Sequence, residues 1–181
     1  HGQGYTDLNF LIPELIERVT YRKGPYYAEE GDFSSAGAAH IDYVRKLDSP
    51  SAQVAFGPRA YVRTLLAGSP EWAQGHLLYG LELFHNNGPW QIPENYRKLN
   101  GVLRYSQGSR FDGISLTGMA YQGKWKSTDQ IAERAIGSGQ VDRFGTLDPT
   151  TGGSTYRYSL SGEWARRGDN SQSKINAWGL T

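Results

Sequence analysis

The sequence predicts an all-β protein in which about six or seven antiparallel strands form part of a transmembrane β-barrel. Aromatic residues make up 13% of the chain, Gly occurs 23 times and Met once, and long stretches with helical periodicity are lacking. Several segments instead alternate strictly between apolar and polar residues. The links between them alternate between short and long, as in an up-and-down membrane barrel. A soluble β-sandwich gives no reason for that alternation.

The first part of the chain predicts two short strands joined by a turn. Residues 16–44 contain a strand-like run, Gly24-Pro25, an acidic turn and a second strand-like run. The second run is preceded by small residues from Ser35 to Ala39. Because residues without bulky side chains let two backbones approach closely, this stretch is expected to pack tightly against another layer of chain.

Beyond Ser49 the alternating segments predict the longer strands. The segment from Ser51 to Ala67 predicts a hairpin that turns at Gly57-Pro58, since Pro is poorly tolerated inside a central strand. The other predicted strands follow in chain order: His76–Phe84, Lys98–Ser106, Gly113–Trp125 and Thr155–Trp164.

Each long strand has one apolar and one polar face. In the last of them, Tyr156, Tyr158 and Leu160 alternate with Arg157 and Ser159. Spans of about nine to eleven tilted residues cross the hydrocarbon layer, so the apolar face is expected to meet lipid and the polar face the lumen.

The lengths of the connections predict the topology in the membrane. Longer loops run over 86–95 and 129–153, and these are expected to be extracellular. The shorter links near Pro70, Ser109 and Asp169 are expected to be periplasmic. Aromatic residues near the strand ends suit interfacial girdles: Trp72, Trp90, Phe111, Trp125 and Trp164.

Composition excludes several functions. With 19 basic and 18 acidic residues, a net charge of +1 gives no basic face for nucleic acid. There is no Cys for a thiolate site, and the four His residues are scattered, so neither a metal nor a cofactor is predicted. No serine lies in a nucleophile elbow or beside a recognisable base, and we therefore predict that the chain is not an enzyme.

Several segments together resemble a known family. Their order and spacing are similar to those of the TonB-dependent outer-membrane receptors, in which a plug domain ends in an "IERVEV-x-RGP" strand and a small-residue strand before the barrel begins. The resemblance covers nearly the whole chain and rests on these segments: Ile16-Glu17-Arg18-Val19, Lys23-Gly24-Pro25, Gly31, Ser35-Ala36-Gly37-Ala38-Ala39-His40-Ile41, Gly88-Pro89-Trp90, Asn100-Gly101-Val102-Leu103-Arg104-Tyr105, Ser127-Thr128-Asp129-Gln130-Ile131 and Arg143-Phe144-Gly145-Thr146-Leu147-Asp148-Pro149.

The resemblance implies a domain organisation and a function. Residues 1–48 would be the C-terminal part of a plug domain and residues 49–181 the N-terminal strands of an outer-membrane β-barrel. Such a receptor lies in the outer membrane of a Gram-negative bacterium, contacts outer-membrane lipid, and takes up a scarce nutrient such as a ferric siderophore, cobalamin or a carbohydrate. Uptake is driven by the TonB energy-transducing complex, through a part of the receptor that we expect to lie outside this piece.

Seven residues are candidates for functional contacts. Lys23 stands where the family has Arg before Gly-Pro, so it and Arg22 are candidates for plug-to-barrel contact together with the small Gly37. Four further residues are candidates for ligand binding, two aromatic residues of the plug and two arginines of the last long loop: Tyr26, Tyr27, Arg134 and Arg143.

One alternative of another class stays open at this point. Trp90 or Trp125 would let a soluble, secreted β-sandwich stack on sugars as a carbohydrate-binding module.

Overall fold

The computed structural model describes residues 7–31, 34–126 and 130–181, and in these ranges the chain is all-β with antiparallel strands. The smaller sheet pairs β1 (Ile16–Lys23) with β2 (Gly37–Tyr43). Short 3-10 turns at Pro13–Leu15 and Ala28–Glu30 flank β1. Three residues of the segments that carry the resemblance lie outside the described ranges: Ser127, Thr128 and Asp129.

The larger sheet has eight strands, and within the described ranges it is open. Its order is β10-β9-β8-β7-β6-β4-β3, with β5 paired to β6, so β3 and β10 are edge strands. Its strands are β3 (Ser51–Gly57), β4 (Tyr61–Gly68), β5 (Glu71–Trp72), β6 (Gly75–Asn86), β7 (Tyr96–Gly108), β8 (Gly113–Lys126), β9 (Gly152–Arg167) and β10 (Gln172–Leu180).

The five segments predicted from alternation are strands in the structure. The hairpin predicted to turn at Gly57-Pro58 is also confirmed, because β3 pairs with β4 across residues 58–60. A single short helix, α1 (Glu133–Gly137), lies in the described part of the connection between β8 and β9. No described helix has the length and apolar character needed to cross a membrane.

The two faces of the large sheet differ in what they contact. One face, here called the inner face, is covered by residues 7–15 and 43–47. The other face, here called the outer face, is exposed and apolar over most of its area. Thirteen large side chains of β4 to β10 on the outer face have more than a third of their surface exposed: Leu66, Tyr79, Leu81, Leu83, Leu99, Leu103, Ile114, Leu116, Tyr156, Tyr158, Leu160, Trp164 and Ile175.

The core lies between the inner face and the covering segments. Ile12 and Leu15 are fully buried and pack with Leu65 and Leu78 of the sheet, with the remaining members of the cluster around them. Gly80 lies on the inner face directly beneath this contact. A Cβ atom at Gly80 would lie 2.5 Å from Leu15 Cδ1 and 3.2 Å from Ile12 Cδ1, so the missing side chain is what lets the segment lie against the strand.

The connections separate into two ends of the sheet. The short links 69–74, 109–112 and 168–171 lie at one end. The longer connections and the three-residue turn 58–60 lie at the other end, where Asn87 N donates a hydrogen bond to the Arg59 carbonyl oxygen at 2.9 Å. The described part of the β8–β9 connection docks on residues 87–95 at this same end.

The predicted aromatic girdle is only partly present. Trp72, Phe111 and Trp164 lie at the end of the short links and are 60%, 50% and 38% exposed. Trp125, however, has the parity of inner-face residues and packs against Tyr96, with ring centroids 6.5 Å apart. Trp90 also differs from the expectation, because it packs against a phenylalanine of the β8–β9 connection.

Gly37, a candidate for plug-to-barrel contact, is the first residue of β2 and makes a close contact within the small sheet. Gly37 has φ +136°, and a Cβ atom there would overlap the carbonyl oxygen of Arg22. The close approach is therefore to β1, within the small sheet. Leucine at this position would clash with the partner strand rather than with the large sheet.

Gly80→Val should loosen residues 7–15, because the added carbons enter a packed contact, and overpacking of this kind costs about 1–3 kcal/mol. The measurement is limited proteolysis of residues 7–15 in the protein encoded by the complete reading frame. Gly118→Val is the matched control, since nothing lies within 4 Å of a Cβ atom there. Equal cleavage of the two variants would contradict the proposed packing.

Candidate functional site

The inner face carries polar side chains that are buried beneath the covering segments. Glu82 and Asn100 are 2% and 0% exposed, and they lie opposite each other on β6 and β7. Ser106, Ser115 and Thr117 continue this polar surface toward the short links. Since burying unpaired polar groups is costly, the contacts of these residues determine how the covering segments are held.

The main contact between residues 7–15 and the sheet is a network of four charges. Arg63 of β4 donates to both oxygens of Glu14, at 2.6 and 2.9 Å, and to Glu82 Oε1 at 2.6 Å. Lys98 Nζ lies 2.8 Å from Glu82 Oε2. Two carboxylates and two cations balance, so the buried Glu82 carboxylate is compensated, and the bidentate fork of Arg63 fixes Glu14 in place.

A second ion-pair cluster joins the small sheet to the link between β7 and β8. Asp42 accepts from Arg18 at 2.9 Å, and Arg110 lies at the same distance from the same carboxylate. Burial alone would raise the pKa of Asp42, but the hydrogen bonds from the two arginines outweigh it and lower the pKa. The hairpin of β1 and β2 is thus held by charge at one end of the sheet.

A cavity of about 370 Å³ lies between β2 and the inner face of β7 to β10. Tyr43, Arg104, Thr117 and Trp178 are among its lining residues. Burial raises the pKa of Tyr43 to about 12 although the charges of Arg104 and Arg157 lower it, so its hydroxyl stays protonated at neutral pH. That hydroxyl and Arg104 Nε have no hydrogen-bond partner among the described residues. The cavity therefore presents donors, which suit a ligand rich in acceptors.

The predicted plug contacts are placed within the small sheet and its loop. Arg22 forms ion pairs with Glu29 and Glu30 and lies over the Tyr27 ring, 4.9 Å from its centroid. Tyr26 is 84% exposed. Across the described ranges, no hydrogen bond or ion pair joins Arg22, Lys23, Tyr26 or Tyr27 to the large sheet.

The predicted arginines of the last long loop lie at the end of the sheet opposite the short links. Arg134 is an exposed residue of α1, and Arg143 is exposed beside Asp142. The loop is tethered there because Gln91 donates from Nε2 to Asp142 Oδ2 at 2.5 Å and from its backbone to the Phe144 carbonyl oxygen at 2.9 Å. Within 7–31, 34–126 and 130–181, no hydrogen bond, ion pair or ring contact joins these arginines to Tyr26 or Tyr27.

Sequence reasoning missed the residues that anchor the covering segment. Arg63 follows Glu14 by 49 residues and precedes Glu82 by 19, yet its guanidinium contacts both carboxylates. The signal that was available is Glu82, a carboxylate at an inward position of an alternating strand, which requires a cationic partner when it is buried.

Comparisons with known proteins give no relative from which a function can be transferred: no family model, no curated protein and no solved structure matches this chain. Within the described ranges, no three His, Asp or Glu side chains are grouped in a way that would hold a metal ion. The candidate site is thus defined by the inner face, its two ion-pair clusters and the cavity beside β2.

The anchoring of residues 7–15 should weaken in acid. The hydrogen bond from Arg63 lowers the pKa of Glu14, so this contact stabilises docking above the ordinary glutamate pKa, and its contribution is lost as the pH falls through the lowered value. The protection of residues 7–15 from hydrogen exchange, relative to the intrinsic rate at each pH, should therefore fall as the pH drops below the ordinary glutamate pKa of about 4.3.

Two variants test that assignment. Glu14→Gln should raise exchange already at neutral pH and flatten the acid dependence. Glu133→Gln, on the exposed face of α1, should leave both unchanged. An unaltered pH profile in Glu14→Gln would show that this carboxylate does not anchor the segment.

Proposed function

We propose that the chain is part of a TonB-dependent outer-membrane receptor, a transporter and not an enzyme, that takes up a scarce nutrient such as a ferric siderophore, cobalamin or a carbohydrate. In this proposal residues 1–48 end the plug domain, and residues 49–181 form the first strands of the barrel. The resemblance of the sequence segments motivates the family, and the distribution of polarity on the large sheet supports it.

The observation that carries the proposal is the exposed apolar outer face. The chain exposes 12696 Å², whereas a compact soluble monomer of 20.1 kDa exposes about 8,700 Å². Thirteen large hydrophobic side chains are exposed together on the outer face, and soluble monomers rarely expose contiguous apolar patches beyond a few hundred Å². A lipid phase would cover this face without requiring a second protein layer.

The length of the apolar band fits a membrane span. From Tyr156 to Trp164 the outer positions of β9 hold Tyr, Tyr, Leu, Gly and Trp. Eight residues rise about 27 Å along a strand, which at the usual tilt of about 40° gives roughly 20 Å of depth. The strand pairing extends this apolar band from β9 onto its two neighbours, because Leu160 lies opposite Gly118 of β8 and Gly179 of β10.

The inner face supports the plug assignment. When the covering segment moves, water can replace the ion pairs between that segment and the polar inner face. An apolar contact of the same size would instead expose apolar surface to water, which is unfavourable. Asp42 is about a third exposed and Glu14 similarly so, which keeps both within reach of solvent. Transport in this proposal requires residues 7–15 and the small sheet to move when the TonB complex pulls on the plug.

The ligand contacts remain those that the sequence predicts, in two separate places. Tyr26 and Tyr27 would meet the nutrient at the plug, and Arg134 and Arg143 would attract an anionic chelate at the entrance. The exposure of Tyr26, Arg134 and Arg143 is compatible with this role.

The alternative of a soluble carbohydrate-binding sandwich finds less support. In the described ranges only the inner face is covered, and no second large sheet packs on the outer face. Trp90 donates from Nε1 to Glu94 at 3.1 Å, and Trp125 lies against Tyr96, so neither presents an open stacking platform as that alternative requires.

A labelling experiment tests the outer-membrane location and the topology. The chain has no native Cys, so Ser138→Cys and Asp169→Cys each introduce one thiol into it. In intact cells the cysteine at position 138 should react with an impermeant maleimide, because the long loops would be extracellular. The cysteine at position 169 should react only after the outer membrane is opened. The reverse order of labelling would overturn the proposed topology.

The same strains test transport. Deleting the reading frame should slow growth when iron, cobalamin or carbohydrate is limiting, and deleting TonB should remove the growth advantage that the reading frame confers. A normal growth of the deletion strain in all three media would argue against a nutrient receptor even if the labelling pattern held.

A further inference from the structure

Three basic side chains form one row across the outer face. His85, Arg97 and Lys124 occupy adjacent strands, because His85 is the register partner of Arg97 and Arg97 that of Lys124. These three residues are here called the basic row. All three have outer-face parity, and the row lies at the end of the sheet where the long connections lie.

Among the described residues, no carboxylate forms an ion pair with the cations of the row. Like charges directly opposite each other on neighbouring strands repel, since their Cβ atoms lie only about 4.5–5.5 Å apart. In the ranges 7–31, 34–126 and 130–181, neither Arg97 nor Lys124 forms an ion pair, and the described hydrogen bond of the Arg97 guanidinium is from Nε to Asn95 Oδ1 at 3.3 Å. His85 Nδ1 donates to the Tyr96 carbonyl oxygen at 3.1 Å, so Nε2 can donate to an anion only when the imidazole is protonated, and the two permanent cations of the row are Arg97 and Lys124. The arrangement favours an external anion between the cations.

An apolar groove begins directly beneath the basic row. It has a volume of about 510 Å³, and its outer-face lining combines the row with Val62, Leu83 and Leu99, flanked by the polar Thr64 and Gln122. Leu83 and Leu99 are register partners and are 48% and 45% exposed. One step further along the strands the outer face continues with Leu66 and Leu81, so the apolar surface is unbroken below the groove.

We propose that this groove binds the phosphate-bearing headgroup of an anionic lipid, with the phosphate on the basic row and an acyl chain along the apolar rows beneath it. This inference rests on the proposed membrane location of the outer face. The observation that supports the proposal is that the basic row lies at the rim of the apolar band. An anionic lipid has the same arrangement, since its charged headgroup is joined to a hydrocarbon chain. A soluble anion would use the row but would leave the adjoining apolar groove without an occupant.

The test compares lipids on the protein encoded by the complete reading frame, purified in a nonionic detergent. Native mass spectrometry counts bound phosphatidylglycerol or phosphatidylcholine while inorganic phosphate is offered as a competitor. Phosphatidylglycerol should bind in preference to phosphatidylcholine, and inorganic phosphate should not displace it at equal concentration. Displacement by free phosphate would identify a soluble anion and overturn the lipid assignment.

Charge variants locate the site. Arg97→Gln with Lys124→Gln should weaken phosphatidylglycerol binding about 10- to 30-fold, since each basic residue near an anionic lipid surface contributes about 1 kcal/mol. The matched control is Arg166→Gln with Arg167→Gln, which removes the same charge from exposed positions at the short-link end of β9 and should retain the binding. Equal loss in both double variants, or in neither, would refute this site.

A separate readout distinguishes this inference from the membrane proposal. If the unmodified protein stays monomeric and folded in buffer without detergent, the membrane location itself fails. If the protein needs detergent but the two double variants bind phosphatidylglycerol alike, the outer face meets lipid and only the headgroup site is wrong.

Discussion

The alternation of side chains across one pleated sheet is the constraint on which this structure depends. Successive residues of a strand point to opposite faces, so a shift of register by one residue would exchange the two faces completely. Here the consequence is large, because Glu82 and Asn100 would move to the outer face while Leu81 and Leu99 would enter the polar interior. The polarity of both surfaces is therefore fixed by the same pairing.

That constraint also explains how the covering segment is held. Inward positions carry Arg63, Glu82 and Lys98, whose charges require partners once water is excluded, and Glu14 completes the set from the segment itself. Gly80 leaves the space into which Ile12 and Leu15 pack. Charge sets the position of the segment, and apolar burial holds it there. Only the charged part of this contact responds to pH.

How much of the molecule could be predicted from its sequence follows from the range of each interaction. The strands of the large sheet were predictable because alternation is local and runs over nine or more residues. Trp125 shows the limit of that reasoning: its position near a strand end suggested a lipid interface, although its parity with Tyr121 places it on the inner face. Ile114 lies on the outer face of β8, and Trp125, an odd number of positions further along the strand, therefore lies on the inner face.

The contacts of the candidate site were harder to predict, since they depend on pairs far apart in the chain. Arg22 pairs with Glu29, which lies only seven residues away, and its contact with a barrel stays a prediction. The Glu14 to Arg63 contact spans 49 residues and has no local signature. The basic row likewise exists only after β6, β7 and β8 are paired in register.

The central claim is that the outer face meets lipid and the inner face does not. The most direct test is a folding titration into bilayers of the Leu160→Arg and Ser161→Arg variants, which place the same side chain on opposite faces at adjacent positions. The account predicts that arginine at position 160 destabilises the folded protein by about 2–4 kcal/mol and that arginine at 161 costs little. Equal costs at both positions, or a larger cost at 161, would contradict it.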